Sequence, residues 1–524
     1  MTLRVSSVPA GRSAGSCPAN PPLDAATLTQ SRLDIWRQRS GFLLAPVAFG
    51  VLWALSGSLR PEPHRLTAIL GAVIVLWITE AIPMAVTAFA GVSAAVAFHV
   101  ASASEAFSAF ADPLIFVFIG TFMLARASFF HGLDRRFAFA ILGLPGVGRH
   151  PGRILLAYSA VVCAVSMLVD ATATTAMMLP IGLSLVAAIE ASPAAIGCRS
   201  GYGAILLLAT AFAGTVGGLA TPVGTAPNLI GIGFIRREIG VALPFFSWMV
   251  LGIPVVVLLF GWLMVDLWRG AVKRDASVPS VGALLAPDRA ASGPWTRGQI
   301  NTMLAFGTTV ALWLLPGFVG LAAGQDSEPY RKMMATIPES VAAMVGTTLL
   351  FVLPIDVRTN QFTLPWSEAA QIDWWIVFLY GGGIALGSLT FKTGLAEVMG
   401  RGLTGFLGVH GGFGLLILST GIATVLSETT SNTAAANTVI PVVIAFARSA
   451  GIDPLLPTLG ATMGASLGFM LPVSTPCNAI VYGSGRVPLR AMMRYGFALD
   501  VVGVAVIVTV LSVLGPLVLS SARL

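Results

Sequence analysis

The chain has 524 residues, of which 56% are apolar and only 10% charged, and its mean hydropathy is +0.86; this excludes a water-soluble enzyme and describes a polytopic membrane protein. The formal charge of +7, from 30 basic against 23 acidic residues, reports loop orientation in such a protein and not a nucleic-acid partner. Four cysteines, Cys17, Cys163, Cys198 and Cys477, show neither C-x-x-C nor zinc spacing, which leaves no disulfide framework and no structural metal.

Residues 1–40 lack the apolar stretch and small-residue cleavage site of a signal peptide, so they are expected to form a cytoplasmic tail, disordered around Cys17–Pro22. An extra first span follows at 41–60. A first unit, 61–268, contains apolar segments at roughly 66–80, 83–100, 114–131, 153–190, 203–235 and 245–268. A cytoplasmic linker, 269–299, leads to a second unit, 300–524, with segments at about 300–323, 336–354, 374–392, 412–447, 456–485 and 495–520. Segments 153–190 and 412–447 are too long for one span. Each is broken by polar residues, at Asp170-Ala171-Thr172 and at Ser427 to Thr433, so each is expected to be a re-entrant helix pair meeting at a polar tip. The sum is an all-α protein of about eleven transmembrane helices and two hairpins. With the N-terminus in the cytoplasm, 20 of the 30 Lys and Arg lie inside, as the positive-inside rule requires.

The two units are copies of each other. Asp112, Gly120, Thr172-Ala173 and Pro180 recur 261 positions later as Asp373, Gly381, Thr433-Ala434 and Pro441. Pro222 to Ile230 recurs 250 positions later as Pro472 to Ile480, and Ile82-Pro83 is echoed at Ile337-Pro338. Five spans per copy, an odd number, force the second copy to run upside down. Inverted repeats bring related tips from opposite faces together near the midplane, which is how alternating-access carriers build a site.

The four polar interruptions form two matched pairs rich in hydroxyl and amide groups: Asp170 to Thr172 with Ser431 to Thr433, and Thr221 to Asn228 with Ser474 to Asn478. A broken helix turns its N-terminal N–H groups and positive dipole end to the gap, where a carboxylate is the natural occupant. Freed carbonyls and hydroxyls suit a hard monovalent cation such as sodium. The plainer alternative, hydroxyls bonding across helices and Pro or Gly kinking them, accounts poorly for four motifs in symmetric register.

Ser431-Asn432-Thr433, the Pro222–Asn228 and Pro472–Asn478 segments, and Trp77 to Pro83 together resemble the divalent anion:sodium symporter (DASS) family, from about Arg65 to the C-terminus. The resemblance implies eleven spans, two hairpins, a homodimer with scaffold and transport domains, elevator-type movement, and carriage of di- or tricarboxylates or sulfate with sodium or by exchange. Carried over, it implies substrate contacts at Ser431, Asn432 and Thr433, with Thr475 and Pro476 beside them. It places one sodium ion among Ser427, Thr430, Asn432 and Ser474, and the other ion or the substrate near Ser166, Ala220 and Thr221. Where the family has Ser-Asn-Thr in the first copy, this chain has Asp170-Ala171-Thr172. Thr172 keeps a substrate contact. Asp170 brings a negative charge that caps a half-helix, tightens a cation, takes a proton, or selects a substrate with fewer or differently placed charges. Glu80 reads as a helix-end residue, and Glu428 as a solvated loop residue or a partner for a cation.

The sequence therefore describes a bacterial inner-membrane secondary transporter of small organic dianions, such as C4-dicarboxylates, with sodium as the expected coupling ion and no cofactor. It carries no P-loop and is not an enzyme. An anion exchanger, a proton-coupled carrier using Asp170, a sulfate transporter and, more remotely, an anion channel stay open as alternatives.

Overall fold

The computed structural model describes residues 25–57, 59–142, 150–190, 201–271, 293–407 and 411–519. The expected disordered segment at 17–22 and most of the linker lie outside these residues. The helices of the first half are α1 (Ala25–Leu55), α2 (Pro61–Thr79), α3 (Met84–Ala97), α4 (Ala103–Phe107), α5 (Pro113–His131), α6 (Leu133–Leu142), α7 (Pro151–Ser166), α8 (Ala171–Glu190), α9 (Tyr202–Gly218), α10 (Ala226–Phe234) and α11 (Phe245–Ala271). Those of the second half are α12 (Arg297–Ala323), α13 (Glu328–Thr336), α14 (Glu339–Val352), α15 (Trp366–Ala369), α16 (Trp374–Lys392), α17 (Leu395–Leu407), α18 (Gly412–Thr429), α19 (Asn432–Ser449), α20 (Leu455–Gly464), α21 (Pro476–Gly483) and α22 (Leu489–Leu519). Helix α1 starts well inside the segment expected to be a tail. A short antiparallel pair, β1 (Pro354–Asp356) and β2 (Gln361–Phe362), interrupts the otherwise helical architecture.

Among the described residues, eight helices are long and apolar enough to cross a membrane. They become nine if α13 and α14, bent by 53°, count as one span. Helices α3, α7 and α9 are apolar but shorter. Both long segments, 153–190 and 412–447, are helix–break–helix: α7 stops at Ser166 and α8 starts at Ala171, and α18 stops at Thr429 and α19 starts at Asn432. Two further breaks, between α9 and α10 and between α20 and α21, fall on the recurring Pro-to-Asn segments.

The same local solutions recur in both halves. After α5 and after α16, Gly132 (φ 63°) and Gly394 (φ 80°) take the left-handed conformation that lets the chain turn into α6 and α17. The buried Asn228 donates its amide to the carbonyls of Gly218 (3.0 Å) and Thr221 (2.8 Å), ten and seven residues back. Asn478 makes the same bonds to Gly468 (3.0 Å) and Leu471 (3.0 Å). Each break is also covered by the backbone of a later helix at a glycine. A Cβ at Gly252 of α11 would collide with the Leu219 and Ala220 carbonyls, and one at Gly496 of α22 with Phe469 and Met470.

Because backbone, not a movable side chain, faces Gly496, Gly496→Val should destabilise the folded protein by about 1–3 kcal/mol through overpacking. The readout is the melting temperature of purified protein, and an unchanged value would contradict this packing.

Candidate functional site

The α18–α19 tip is built by capping. Thr430 is extended, and Ser431 accepts a hydrogen bond from the Ala434 N–H (3.2 Å) as N-cap of α19. Behind it, Ser427 Oγ has two acceptors in reach, Asn432 Oδ1 (2.6 Å) and the Ala465 carbonyl (2.8 Å). One hydroxyl proton cannot satisfy both, so the pocket is rich in oxygen acceptors, chemistry that suits a hard cation. Asn432 Nδ2 reaches the Ser466 carbonyl (3.3 Å). Thr430 and Ser474 are buried beside this cluster, with their hydroxyls bonded to the Leu426 carbonyl and to Glu428.

Glu428 is buried, not solvated, which corrects the expectation of a loop residue. Its carboxylate accepts from the N–H groups of Met470 (2.8 Å) and Leu471 (3.2 Å) and from Ser474 Oγ (2.7 Å). It thereby ties the end of α18 to the break between α20 and α21. Thr475 then caps α21 by accepting from the Asn478 N–H (3.0 Å).

The first copy solves the same problem differently. Asp170 Oδ1 caps α8, accepting from the N–H groups of Thr172 (2.9 Å) and Ala173 (3.4 Å). Where the second copy has the Asn432 side chain, Ala171 has none, and its N–H donates to the Gly224 carbonyl (3.3 Å). Ser166 Oγ donates to the Gly214 carbonyl (2.6 Å). Thr225 occupies the N-cap position of α10.

These breaks meet in one cavity of about 460 Å³. It is lined by the first residues of α8, α10, α19 and α21, so four helix N-termini open onto the same space. Of the residues expected to act, Asp170, Thr172, Ser431, Asn432, Thr433, Thr475 and Pro476 line it. Ser166, Ala220, Thr221, Ser427, Thr430 and Ser474 are buried and lie off the lining. For Ala220 and Thr221, expected near the ion or substrate, the cavity is lined instead by Thr225, Ala226 and Pro227. Thr221 is occupied locally, its hydroxyl bonded to the Met167 carbonyl and its carbonyl to Asn228. The signal was present in the sequence, since the 250-residue offset pairs Thr475 with Thr225.

The described residues lining the cavity include two carboxylates, Asp170 and Glu80, and no Lys or Arg. Glu80, the left-handed C-cap of α2 at φ 50°, is bonded to Arg37 (2.8 Å). Asp170 also lines a second cavity of about 220 Å³ with Arg126, Asp134, Gln371 and Asp373, so the α7–α8 tip separates two spaces.

Removing the Glu428 carboxylate leaves two partly buried N–H groups without their acceptor, while the Ser474 hydroxyl keeps the Glu428 carbonyl (3.0 Å). Glu428→Ala should therefore cost at least about 2 kcal/mol of stability, with Glu428→Gln losing less; thermal unfolding at wild-type temperature in the Ala variant would refute its tying role.

With that geometry in place, the likeness to known proteins can be read. Residues 38–520 match the family described as "Sodium:sulfate symporter transmembrane region". The chain is 30% identical over 492 residues to the sodium-dependent dicarboxylate transporter SdcS of Staphylococcus saprophyticus, covering 92% of each chain. It is 30% identical over 490 residues to SdcS of a Staphylococcus aureus strain, again covering 92% of each. Among solved structures it resembles the YdaH transporter of Alcanivorax borkumensis, with a TM-score of 0.51 at 15% identity, covering 80% of this chain and 89% of that one. It also resembles MtrF of Neisseria gonorrhoeae, with a TM-score of 0.50 at 11% identity, covering 79% and 83%. At those identities the structural likeness speaks for the fold alone.

Proposed function

The chain belongs to the sodium:sulfate symporter family, the divalent anion:sodium symporters, and is a membrane transporter and not an enzyme; from that premise we propose that it carries small di- or tricarboxylates, of the C4-dicarboxylate kind, with sodium as coupling ion. The observation that carries this reading is the convergence of four helix N-termini on one cavity without a basic side chain among its described lining residues. Each N-terminus turns roughly half a positive charge toward the cavity, a fixed array suited to carboxylate oxygens, with the first N–H groups of α8 already taken by Asp170 and Gly224. Ser431, Asn432, Thr433, Thr475 and Pro476 hold one carboxylate, and Thr172 approaches from the opposite tip, with Thr225 in the place first given to Thr221.

Sodium is held in the second copy by oxygens of Ser427, Thr430, Asn432 and Ser474, where Ser427 and Asn432 already gather three oxygens with one shared proton. The first copy offers Ser166 and the 220–224 backbone, but lacks the amide oxygen that Asn432 supplies. The matched Asn228 and Asn478 bonds support two repeats, 61–268 and 300–524, following a tail and an extra span. In this reading the repeats are inverted, α7–α8 and α18–α19 are re-entrant, and the body carrying the tips moves as an elevator within a homodimer in the bacterial inner membrane, with the N-terminus inside.

Purified protein in liposomes should accumulate labelled C4-dicarboxylates when a sodium gradient points inward, and preloaded substrate should accelerate uptake by counterflow. Accumulation that ignores sodium would favour an exchanger, and ion current without counterflow would favour a channel; either result overturns the proposal. Asn432→Ala should raise the apparent substrate constant about 5- to 150-fold, the equivalent of about 1–3 kcal/mol for a lost donor to a desolvated charge. A normal constant would remove Asn432 from the site.

A further inference from the structure

We propose that Asp170 sets the substrate's charge pattern, so that the site selects a dicarboxylate carrying a protonated amine, of net charge −1, over a simple dianion. This inference rests on the transport reading above and narrows it.

Four helix N-termini at roughly half a charge each bring a nominal +2 to the cavity. A carboxylate at position 170, in the place where the second copy has the neutral Ser431, takes one of those charges back. The α8 N-terminus is moreover already used: Asp170 Oδ1 occupies the Thr172 and Ala173 N–H groups, and the Ala171 N–H is spent on the Gly224 carbonyl. Donors that a substrate carboxylate would need on this side are therefore engaged, and Ala171 brings no amide to replace them. The other cavity carboxylate, Glu80, is neutralised by Arg37; Asp170 is in no ion pair among the described residues.

Hydroxyl groups share the cavity wall with Asp170: Thr172, Thr215 and Thr225 line the same space. Thr215 lines the cavity at 4% exposure, and its hydroxyl and that of the buried Thr175 have no oxygen or nitrogen partner among the described residues and face only the weakly bonding thiol of Cys477. A buried hydroxyl left without a partner is costly, and an ammonium group, with three donors and no acceptor, fits a carboxylate flanked by hydroxyl oxygens. The opposite side of the cavity, Ser431 to Thr433 and Thr475, keeps the donors that bind carboxylate oxygens. A substrate lying between them presents its carboxylates to the second-copy tip and its amine to Asp170.

The test compares sodium-driven uptake of L-aspartate, malate and succinate, three C4 acids that differ in carrying an ammonium, a hydroxyl or a hydrogen. The wild type should prefer aspartate to succinate by at least tenfold in apparent affinity, with malate between. Asp170→Ser, and Asp170→Ser with Ala171→Asn, should reverse that order. Equal or better use of succinate by the wild type overturns the inference even if neither variant folds. So does an unchanged order in folded variants whose sodium dependence alone has shifted, because Asp170 would then serve the cation. If none of the three acids is taken up with sodium, the transport reading itself fails.

Discussion

A polypeptide that breaks its helices inside a membrane must find a partner for every freed N–H and carbonyl, and that requirement organises this molecule. The protein meets it with a few polar side chains aimed at backbone: Asn228 and Asn478 each hold two carbonyls, Glu428 holds two N–H groups and a hydroxyl, and Asp170 and Ser431 cap the helices that follow. With the outer faces of the breaks satisfied in this way, the N-terminal ends of α8, α10, α19 and α21 are left facing one common space. The anion site of the proposed mechanism is thus what remains of four breaks once the rest of their backbone is bonded.

The two halves share this plan but not its details. In the second half the side chains of Ser427 and Asn432 point oxygens inward and Glu428 braces the neighbouring break; the equivalents 261 positions earlier are Ser166, Ala171 and Met167. The first half consequently closes its tip with a main-chain bond, Ala171 to Gly224, and places its one charge, Asp170, at the cavity wall. In the proposed mechanism, near-symmetry of the backbone with asymmetry of side chains gives one half the oxygens for a cation and the other the charge seen by the substrate.

Much of this was legible in the sequence, because a repeat tests itself: the 261- and 250-residue offsets located all four breaks and led to Ser431–Thr433, Thr475 and Asp170 on one cavity. Thr225, which the 250-residue offset pairs with Thr475, lines the cavity, whereas Ala220 and Thr221 are buried off its lining. Both positions are Thr-containing segments beside a proline, and only the internal offset, or the coordinates, separates them. Neither reading of Glu428, solvated loop residue or cation partner, includes its buried bonds, because a carboxylate within a polar tip looks solvated until the chain 42 residues on is seen to fold its N–H groups onto it. Such long-range bonds leave no local pattern. The β1–β2 pair was missed as well, since three and two residues of strand are too few to carry an alternation.

In the proposed mechanism the anion binds in the cavity shared by the two tips. A cryo-microscopy structure of the transport-active protein with bound carboxylate tests it most directly. Ligand density is expected within hydrogen-bond distance of the α19 N-terminus at Ser431–Thr433, with its far end toward Asp170. Ligand density at another place, with this cavity filled only by water, would contradict it.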